Sequence, residues 1–337
     1  MTANRSFKRR VRARAARTGE AYTAALRHLR TTEGATVPTT QPSSPVTLRL
    51  AVAQTTLRED PGDTAGFRAA GSEVRALMGA ARTQGADLVH FPEATLCFPG
   101  KLALSSRPGQ LAEADWQRFD WQALQTELTA IRATARELGL WTVLGAQHRE
   151  PGSPRPRTSL FVLDRQGRLH CRYDERLLSR SKQTYLYQPG TSTTTFQLGG
   201  VRFGCTSGLE VLFPDLYSDY EADGVDCVLF STTGPSDPAD ADSLASSART
   251  HALQNGLWIS YAVPSDKAPF AAAGVLQPGG QWAARCPDRV EPAVVVVDIG
   301  PRPDGAPRDW RRTMLTEHRT RTAAAGPAPA PADVGPA

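Results

Sequence analysis

The sequence predicts an α/β domain built on a mixed sheet, and three observations support this fold class. Apolar, strand-like segments alternate with amphipathic helical segments along the first part of the chain. Segments 158–164 and 168–173, separated by Gln166-Gly167, have the pattern of a β-hairpin in the middle of the chain. Further apolar segments continue to residue 298. Alternating strands and helices with one antiparallel element are typical of an α/β domain with a mixed sheet.

The elements follow one another with clear periodicities. LRLAVAQ at 48–54 predicts a buried first strand, and an amphipathic helix is expected at about 64–84. A second buried strand at 87–91 ends at Pro92-Glu93. The remaining predicted helices lie at about 116–138, 211–222 and 241–255, and the remaining strands at 141–145, 201–207, 225–231, 257–263 and 293–298.

Composition divides the chain of 337 residues into four parts. Residues 1–30 are predicted to form a basic helical extension, and residues 31–46 form a linker rich in Thr, Ser and Pro. The main domain is expected at 47–312. Residues 313–337 form an Ala/Pro-rich tail that we expect to be disordered, because its composition cannot build a core.

The positive charge of the chain, +5 in total, is concentrated in the extension. Without residues 1–30 the chain is slightly acidic. Clustered arginines favour polyphosphates, so residues 5–30 predict contact with nucleic acid or another anionic partner. The alternative is a solvated or protein-docking helical arm. The extension has one acid, Glu20, and these basic residues: Arg5, Lys8, Arg9, Arg10, Arg12, Arg14, Arg17, Arg27 and Arg30.

The cysteines and the hydropathy limit the class of protein. No apolar run approaches twenty residues, so we expect no contact with a membrane. The five cysteines are an odd number without a CxxC pair. This pattern argues against a disulfide framework and a thiolate zinc site, and it predicts a cytoplasmic protein with reduced thiols.

Three segments are candidates for chemistry. HFPEATLCFPG at 90–100 places Glu93 at the carboxyl end of a buried strand, where burial would raise its pKa and suit it to general base work. The alternative is a structural carboxylate that caps a helix. RYDERLLSRSKQTYLYQPG at 172–190 alone reads as a charged loop. GCTSGLEVLFPDLY at 204–217 has a strand-to-turn corner at Gly208, and it is not a GxSxG nucleophile elbow.

Taken together and in order, these segments resemble the carbon–nitrogen hydrolase family, the nitrilase and aliphatic amidase superfamily. The resemblance runs from about Leu48 to Arg312. Besides the three segments above, it rests on LAVAQTTLREDPGD, TVLGAQHRE, ARTHALQNGLWISYAVPS and APFAAAGVLQPGGQW. It implies a four-layer α-β-β-α sandwich, no cofactor and no metal.

The resemblance also implies a Glu-Lys-Cys triad, in which a cysteine thiolate attacks an amide or nitrile carbon, a glutamate moves the proton and a lysine stabilises the oxyanion. Glu93 matches the glutamate. The lysine position, two residues after Tyr173, falls on Glu175, and the cysteine position falls on Gly208. Glu210 stands where the family usually has Asp.

Two of the three catalytic side chains are therefore absent, and we found no substitute in the sequence. Strand alternation turns Cys205 and Ser207 away from the side that position 208 faces. Lys182 is expected to reach the site only if the loop that carries it is rearranged. For Glu175 two interpretations remain: it turns outward from a decayed pocket, or it pairs with Glu93 to make an acid and a base.

Three functions follow from these observations. The first is a catalytically degenerate homologue that acts as a small-molecule-binding or partner subunit, with an amide- or nitrile-like ligand. The second is a hydrolase or proton-transfer enzyme that uses Glu93 and Glu175. The third is a regulator with a nucleic-acid-contacting arm. His148, Leu209 and Glu210 are the candidate pocket residues. A homodimer through the helix near Val211–Tyr220 is also expected.

Overall fold

The protein is represented by a computed structural model that describes residues 8, 11–16, 47–237, 240–302 and 306–325. The chain divides into two units, Met1–Pro45 and Val46–Ala337. In the first unit the described residues, Lys8 and 11–16, are helical. The rest of the predicted basic extension and nearly all of the linker lie outside the described residues.

The first sheet of the second unit has six strands in the order β12-β1-β2-β3-β4-β5. Strands β1, β2 and β3 run parallel, and β12, β4 and β5 extend the sheet in antiparallel pairs. The sheet is therefore mixed, as the sequence predicts. Its strands are β1 (Leu48–Gln54), β2 (Leu88–His90), β3 (Trp141–His148), β4 (Arg157–Leu163), β5 (Leu169–Asp174) and β12 (Ala293–Ile299).

The second sheet also has six strands, in the order β11-β10-β9-β8-β7-β6. Its centre is parallel, from β7 through β8 to β9, and both edges are antiparallel. Its strands are β6 (Thr195–Leu198), β7 (Val201–Ser207), β8 (Cys227–Ser231), β9 (Trp258–Ala262), β10 (Gly274–Leu276) and β11 (Trp282–Arg285).

The helices cover the outer faces of the two sheets. Helices α1 and α3 share an apolar cluster with the first sheet, in which Phe67 and Ile131 pack with Ala51 and Val89. On the second sheet, Tyr220 of α4 lies against Gly204, leaving no room there for a Cβ. The helices are α1 (Thr64–Thr83), α2 (Lys101–Leu104), α3 (Trp121–Leu138), α4 (Pro214–Ala222), α5 (Ala241–Asn255), α6 (Ala268–Ala271) and α7 (Ala306–Ala325). Single turns of 3₁₀-helix lie at Trp116–Arg118, Gly208–Leu212 and Ser265–Lys267, and a π-helical turn lies at Lys182–Leu186.

Apolar side chains from both sheets fill the space between them, including Val52 and Val143 of the first sheet and Phe203 and Ile259 of the second. The order of layers is therefore helix, sheet, sheet, helix, which confirms the predicted four-layer α-β-β-α sandwich. Short strands β6, β10 and β11 were not predicted, because three or four residues are too few to show a periodicity. None of the helices in the described ranges is long and apolar enough to cross a membrane.

Part of the carboxyl-terminal segment that was expected to be disordered is helical. Helix α7 crosses residue 312, where the sequence places the boundary between the domain and a disordered tail. The segment DWRRTMLTEHRTRTAAA contains many residues of high helix propensity. This propensity favours a helix although the segment has few hydrophobic residues. Arg312 on this helix donates to the backbone oxygen of Glu221 on α4. Residues 326–337 lie outside the described residues.

A buried histidine links the two sheets. His90, at the end of β2, bonds through its ring nitrogens to the hydroxyls of Ser260 and Ser231, at 2.9 and 2.7 Å. The two serines belong to β9 and β8 of the other sheet. Burial lowers the pKa of His90 from 6.5 to about 3, so the ring is neutral in the folded protein near pH 7.

We expect His90 to make the protein acid-sensitive. The depressed pKa means that the unfolded chain binds the proton first, so this contribution to stability is present above pH 6.5 and is lost as the pH falls towards 3. Between pH 7 and pH 5 the loss is about 2 kcal/mol. Urea unfolding at both pH values should show a flatter pH dependence for His90→Gln. His318→Gln, on exposed α7, should keep the wild-type dependence; an unchanged slope in His90→Gln would contradict the assignment.

Candidate active site

Four residues from separate parts of the chain meet at the ends of strands from both sheets. Three of them, Glu93, Lys182 and Gly208, line one cavity, and Glu175 is buried beside Gly208. Glu93 follows β2, Glu175 follows β5, and Gly208 follows β7. Lys182 begins the π-helical turn after the loop that Glu175 starts. The structure therefore brings together the three residues on which the sequence argument rests, and it adds a lysine.

A strained turn places Glu93. The next residue, Ala94, has a φ of 46°. Among the described residues it is the only one other than glycine with a positive φ. The turn packs directly on Gly145 of β3, where an added Cβ would collide with the Ala94 nitrogen and the Pro92 oxygen. Such backbone strain persists where the surrounding structure enforces it, and it is concentrated at functional sites.

The Glu93 carboxylate has partners on both oxygens. Oε2 accepts a hydrogen bond from the backbone N–H of Thr233 at 3.2 Å, and Oε1 accepts one from Lys182 Nζ. The Glu93 side chain is only 2% exposed. The carboxylate is therefore held in one orientation, with its charge balanced by an ammonium group.

Glu175 shares the same ammonium. Its Oε2 accepts from Lys182 Nζ at 2.7 Å, while its Oε1 is buried and has no hydrogen-bond partner among the described residues. The Glu175 side chain has no exposed surface and that of Lys182 is 7% exposed. The outward-turned interpretation of Glu175 is wrong, because the carboxylate points into the site and is paired there.

The buried cluster shifts the pKa values of its members. Burial raises the pKa of Glu175 well above the ordinary value, although the charge of Lys182 opposes this. Burial alone would lower the pKa of Lys182, but the nearby charges of Glu175 and Glu93 outweigh it and hold that pKa above the ordinary value. The lysine is therefore charged, and Glu175 protonates more readily than an exposed glutamate.

Gly208 forms the corner with a left-handed backbone, at a φ of 60°. A Cβ at this position would lie 2.5 Å from Glu175 Oε1 and 3.1 Å from Lys182 Nζ. Both the backbone conformation and the lack of space therefore favour glycine. The Glu175 carboxylate occupies the space into which a side chain at 208 would project.

The cavity above these residues measures about 590 Å³. Proteins commonly bind small molecules in cavities of roughly 300–1,000 Å³. Leu209 lines the cavity, and the other lining residues are mainly polar or small. They include Ser179, Thr232, Thr233, Gly234, Ser236, Asp266, Lys267, Lys101 and Glu59.

The other two candidate pocket residues lie elsewhere. His148 is half-buried and packs edge-on against Phe161. Glu210 is fully buried and anchors the chain behind the cavity, where it accepts from the Tyr173 hydroxyl at 2.5 Å and from the backbone N–H of Arg176 and Ser207, both at 2.8 Å. The turn that begins at Gly208 sends the Glu210 side chain towards β5 and away from the cavity.

The neighbouring residues that carry nucleophilic atoms do not line the cavity. Cys205 is buried in the core between the sheets, where burial raises the pKa of its thiol well above the ordinary value. Ser207 is also buried. Neither residue therefore presents a nucleophile to the cavity.

Lys182 is the residue of the site whose position the sequence did not predict. The loop brings it inward because Leu186 and Tyr187, at the end of the π-helical turn, are buried beside Trp116, whose ring N–H donates to the Leu186 oxygen at 3.1 Å. The apolar pair after Lys182 was a signal that this loop is anchored in the core.

A family model described as carbon-nitrogen hydrolase matches residues 49–302. This chain belongs to the carbon-nitrogen hydrolase family. No curated protein matches the sequence. The family match covers both sheets and all four residues of the site.

Solved structures of one amidase share this fold. A cysteine-to-alanine mutant of the Nesterenkonia AN1 amidase from the nitrilase superfamily is 20% identical, with a TM-score of 0.60, and the match covers 82% of this chain and 97% of that one. The same coverage applies to a form with the acetamide moiety of fluoroacetamide covalently added at the active site cysteine, at 19% identity and a TM-score of 0.62. The cysteine-to-alanine amidase also forms a complex with butyramide, at 20% identity and a TM-score of 0.61. At these identities the likeness concerns the fold.

Proposed function

We propose that this chain is a catalytically degenerate carbon–nitrogen hydrolase homologue that binds a small amide-like ligand without forming a covalent intermediate. The observation that carries the proposal is the corner at Gly208. The family's cysteine position, assigned by resemblance, has no side chain, and the Glu175 carboxylate fills the space beside it.

The charges at the site also argue against a covalent intermediate. A thioester mechanism needs a thiolate and a stabilised oxyanion beside it. Here the nearest group to position 208 is a carboxylate oxygen, and the lysine is already bonded to two carboxylates. Loss of the nucleophile in a comparable acyl-transfer enzyme costs roughly six orders of magnitude in rate.

Although the site lacks the nucleophile, its cavity is suited to binding a small ligand. The cavity is open to a small molecule, and its wall includes the hydroxyl-bearing residues Ser179, Thr232, Thr233 and Ser236. The site is also internally consistent, because Glu175 and Lys182 fit as they do only with glycine at 208. This mutual fit supports a rebuilt binding site over a decayed one.

Catalysis by Glu93 and Glu175 remains the alternative, supported by the raised pKa of Glu175. Lys182 weakens this alternative, since it neutralises the carboxylates that would act as acid and base. If water-mediated hydrolysis occurred, Glu93→Gln would abolish it.

The direct test measures covalent chemistry and turnover. We expect no ammonia from butyramide or from other amides and nitriles, and no mass increase in the cavity residues after incubation with fluoroacetamide. The positive control for the adduct is the Nesterenkonia amidase variant that carries the acetamide moiety of fluoroacetamide at its active site cysteine. Ammonia above the buffer level, or an adduct mapped by peptide mass spectrometry to a residue of the cavity, would contradict the proposal.

The proposal also includes a homodimer, a cytoplasmic location and contact with nucleic acid. A homodimer through the helix near Val211–Tyr220 is supported by Leu212 and Phe213, which are exposed at its start. A cytoplasmic location is supported by the five cysteines, all unpaired. Contact of residues 5–30 with nucleic acid falls almost entirely outside the described residues, and loss of salt-dependent DNA binding on deletion of residues 1–35 would support it.

A further inference from the structure

The end of α7 leaves the domain as a basic helix. Every described residue from Leu315 to Thr322 is exposed. At spacings of three, four and seven residues, these two share one side of the helix with His318 and Arg319, and no acid lies on that side. Within the described part of the chain, Arg319 and Arg321 form no ion pair. The end of α7 therefore presents a positive surface that its own domain does not cover.

Two arginines fix the first part of α7 on the domain. Arg312 donates to the backbone oxygen of Glu221 at 2.9 Å, near the carboxyl end of α4. Arg311 donates to the side-chain oxygen of Asn255 at 2.9 Å, at the carboxyl end of α5. Cations are favourable at both places, because helix carboxyl ends carry partial negative charge. This anchor sets the direction in which the rest of α7, about 20 Å from Arg312 to Ala325, leaves the domain.

An acidic surface of opposite charge lies on α4. Asp215, Asp219 and Asp223 follow one another at intervals of four residues, so they lie along one side of this helix and the residue that ends it. All three are exposed, and among the described residues none of them has an ion-pair partner. Leu212 and Phe213, 51% and 43% exposed, directly precede the helix. This side of α4 therefore combines uncompensated negative charge with exposed apolar area.

The α7 helix of the same chain does not neutralise this surface. It touches α4 at Glu221, which lies about 9 Å along the helix axis from Asp215, and beyond Met314 all its described side chains are exposed. A second copy could supply its own α7. The part of α7 beyond Arg312, about 20 Å long, exceeds the nine residues of α4, which span about 13 Å.

We propose that the end of α7, residues 315–325, docks on α4 of a second copy of this chain. A two-fold axis lets each copy give its α7 and receive that of the other, so both acidic surfaces are neutralised in one closed dimer. Exposed Leu315 adds apolar area to the contact. This inference rests on the homodimer included in the proposed function, and it names the second segment that forms the interface.

Nucleic acid is the weaker candidate for this surface. The affinity of a protein for DNA grows with the number of phosphates that its cations neutralise, and the projecting end offers only Arg319, Arg321 and His318 against Glu317. The aspartates of α4 are already present on a second copy, in the number and sign that the arginines need.

Charge reversal on each side of the contact tests the inference, with sedimentation equilibrium of the full chain at low salt as the measurement. Arg319→Glu with Arg321→Glu should weaken the dimer at least about tenfold, because like charges then face each other. Asp215→Arg with Asp219→Arg should do the same. All four residues are exposed and lie outside the cavity, so the fold should be unaffected.

Mixing the two charge-reversed proteins is the decisive step. Each alone should be largely monomeric, whereas an equal mixture should form a dimer of one copy of each, because both contacts then join opposite charges again. Added salt should weaken the wild-type dimer by screening these exposed charges.

Two control variants make the result specific. Arg68→Glu and Glu137→Arg reverse exposed charges on α1 and α3, which cover the other sheet, and should leave the dimer unchanged. A dimer that survives both charge reversals, or a mixture that stays monomeric, would overturn the docking of α7 and leave a homodimer through α4 alone. A monomeric wild-type chain would overturn the homodimer as well. If the arginine variant lost binding to duplex DNA and kept its dimer, the surface would belong to nucleic acid. Ammonia release would overturn the non-catalytic function alone.

Discussion

Replacing Lys182 with methionine is expected to lower the free energy of unfolding by about 3–5 kcal/mol. The substitution keeps a long side chain and removes the one positive charge bonded to both Glu93 and Glu175. The two carboxylates, 2% and 0% exposed, would then face each other without a cation and without water. Urea unfolding at pH 7 measures the loss.

Two comparisons show whether the loss comes from the buried charges. Lys267→Met removes a buried lysine whose partner, Asp266, is 31% exposed, so hydration of that carboxylate should keep its loss much smaller. Adding Glu93→Gln and Glu175→Gln to Lys182→Met should recover most of the stability, because no buried charge then lacks a partner. The deficit of Lys182→Met should also shrink as the pH falls towards the ordinary pKa of glutamate, about 4.3, because buried carboxylates without a cation protonate at a higher pH than exposed ones. A loss below about 1 kcal/mol at pH 7 would contradict the buried ion cluster.

Restoring the nucleophile with Gly208→Cys alone is expected to fail. The left-handed backbone at 208 costs a non-glycine residue about 1–2 kcal/mol, and the new Cβ would collide with Glu175 Oε1. A thiolate at 208 would also lie beside a carboxylate, which raises the pKa of the thiol and suppresses its reactive form. We therefore expect a less stable protein without amidase activity.

The structure also changes which combination of substitutions should restore activity. Gly208→Cys with Glu175→Lys puts a second ammonium beside Lys182, so the two cations repel. Adding Lys182→Glu exchanges the two charges and keeps the net charge of the site. We expect this triple variant to release ammonia from butyramide at a measurable rate, against none in the double variant.

A matched control separates the effect of the thiol on activity from the effect of the rearranged charges. The same triple variant with Gly208→Ala carries similar backbone strain but no nucleophile, and it should be inactive. Single-turnover mass spectrometry should then detect an acyl group on the introduced thiol at position 208 in the first protein and no adduct in the second. A folded cysteine variant without activity would show that the site has lost more than its nucleophile and its charge order.

Local patterns account for the parts of the fold that were predicted. The apolar run of β1 and the helical spacing of α1 each lie within one stretch of chain, so the residues alone carry the signal. Glu93 and Gly208 were found for a similar reason, since each directly follows an apolar strand and such strand ends lie at one edge of a sheet. Short strands β6, β10 and β11 carry no such pattern.

Side-chain direction after a turn could not be predicted in the same way. Glu210 is two residues from Gly208, yet the 3₁₀ turn directs it behind the cavity to the Tyr173 hydroxyl. Leu209, between them, faces the cavity. The alternation that orients strand residues ends where the strand ends, so neither direction followed from spacing.

The sequence by itself determined the family, the layered α/β fold and the absence of a thiol at position 208, because these depend on residue types and on periodicities within short segments. Only the tertiary structure decided the electrostatic character of the site. Lys182 reaches Glu93 and Glu175 because the burial of Leu186 and Tyr187 draws its loop inward. That packing joins residues 89 positions apart in the chain, and no local pattern encodes it.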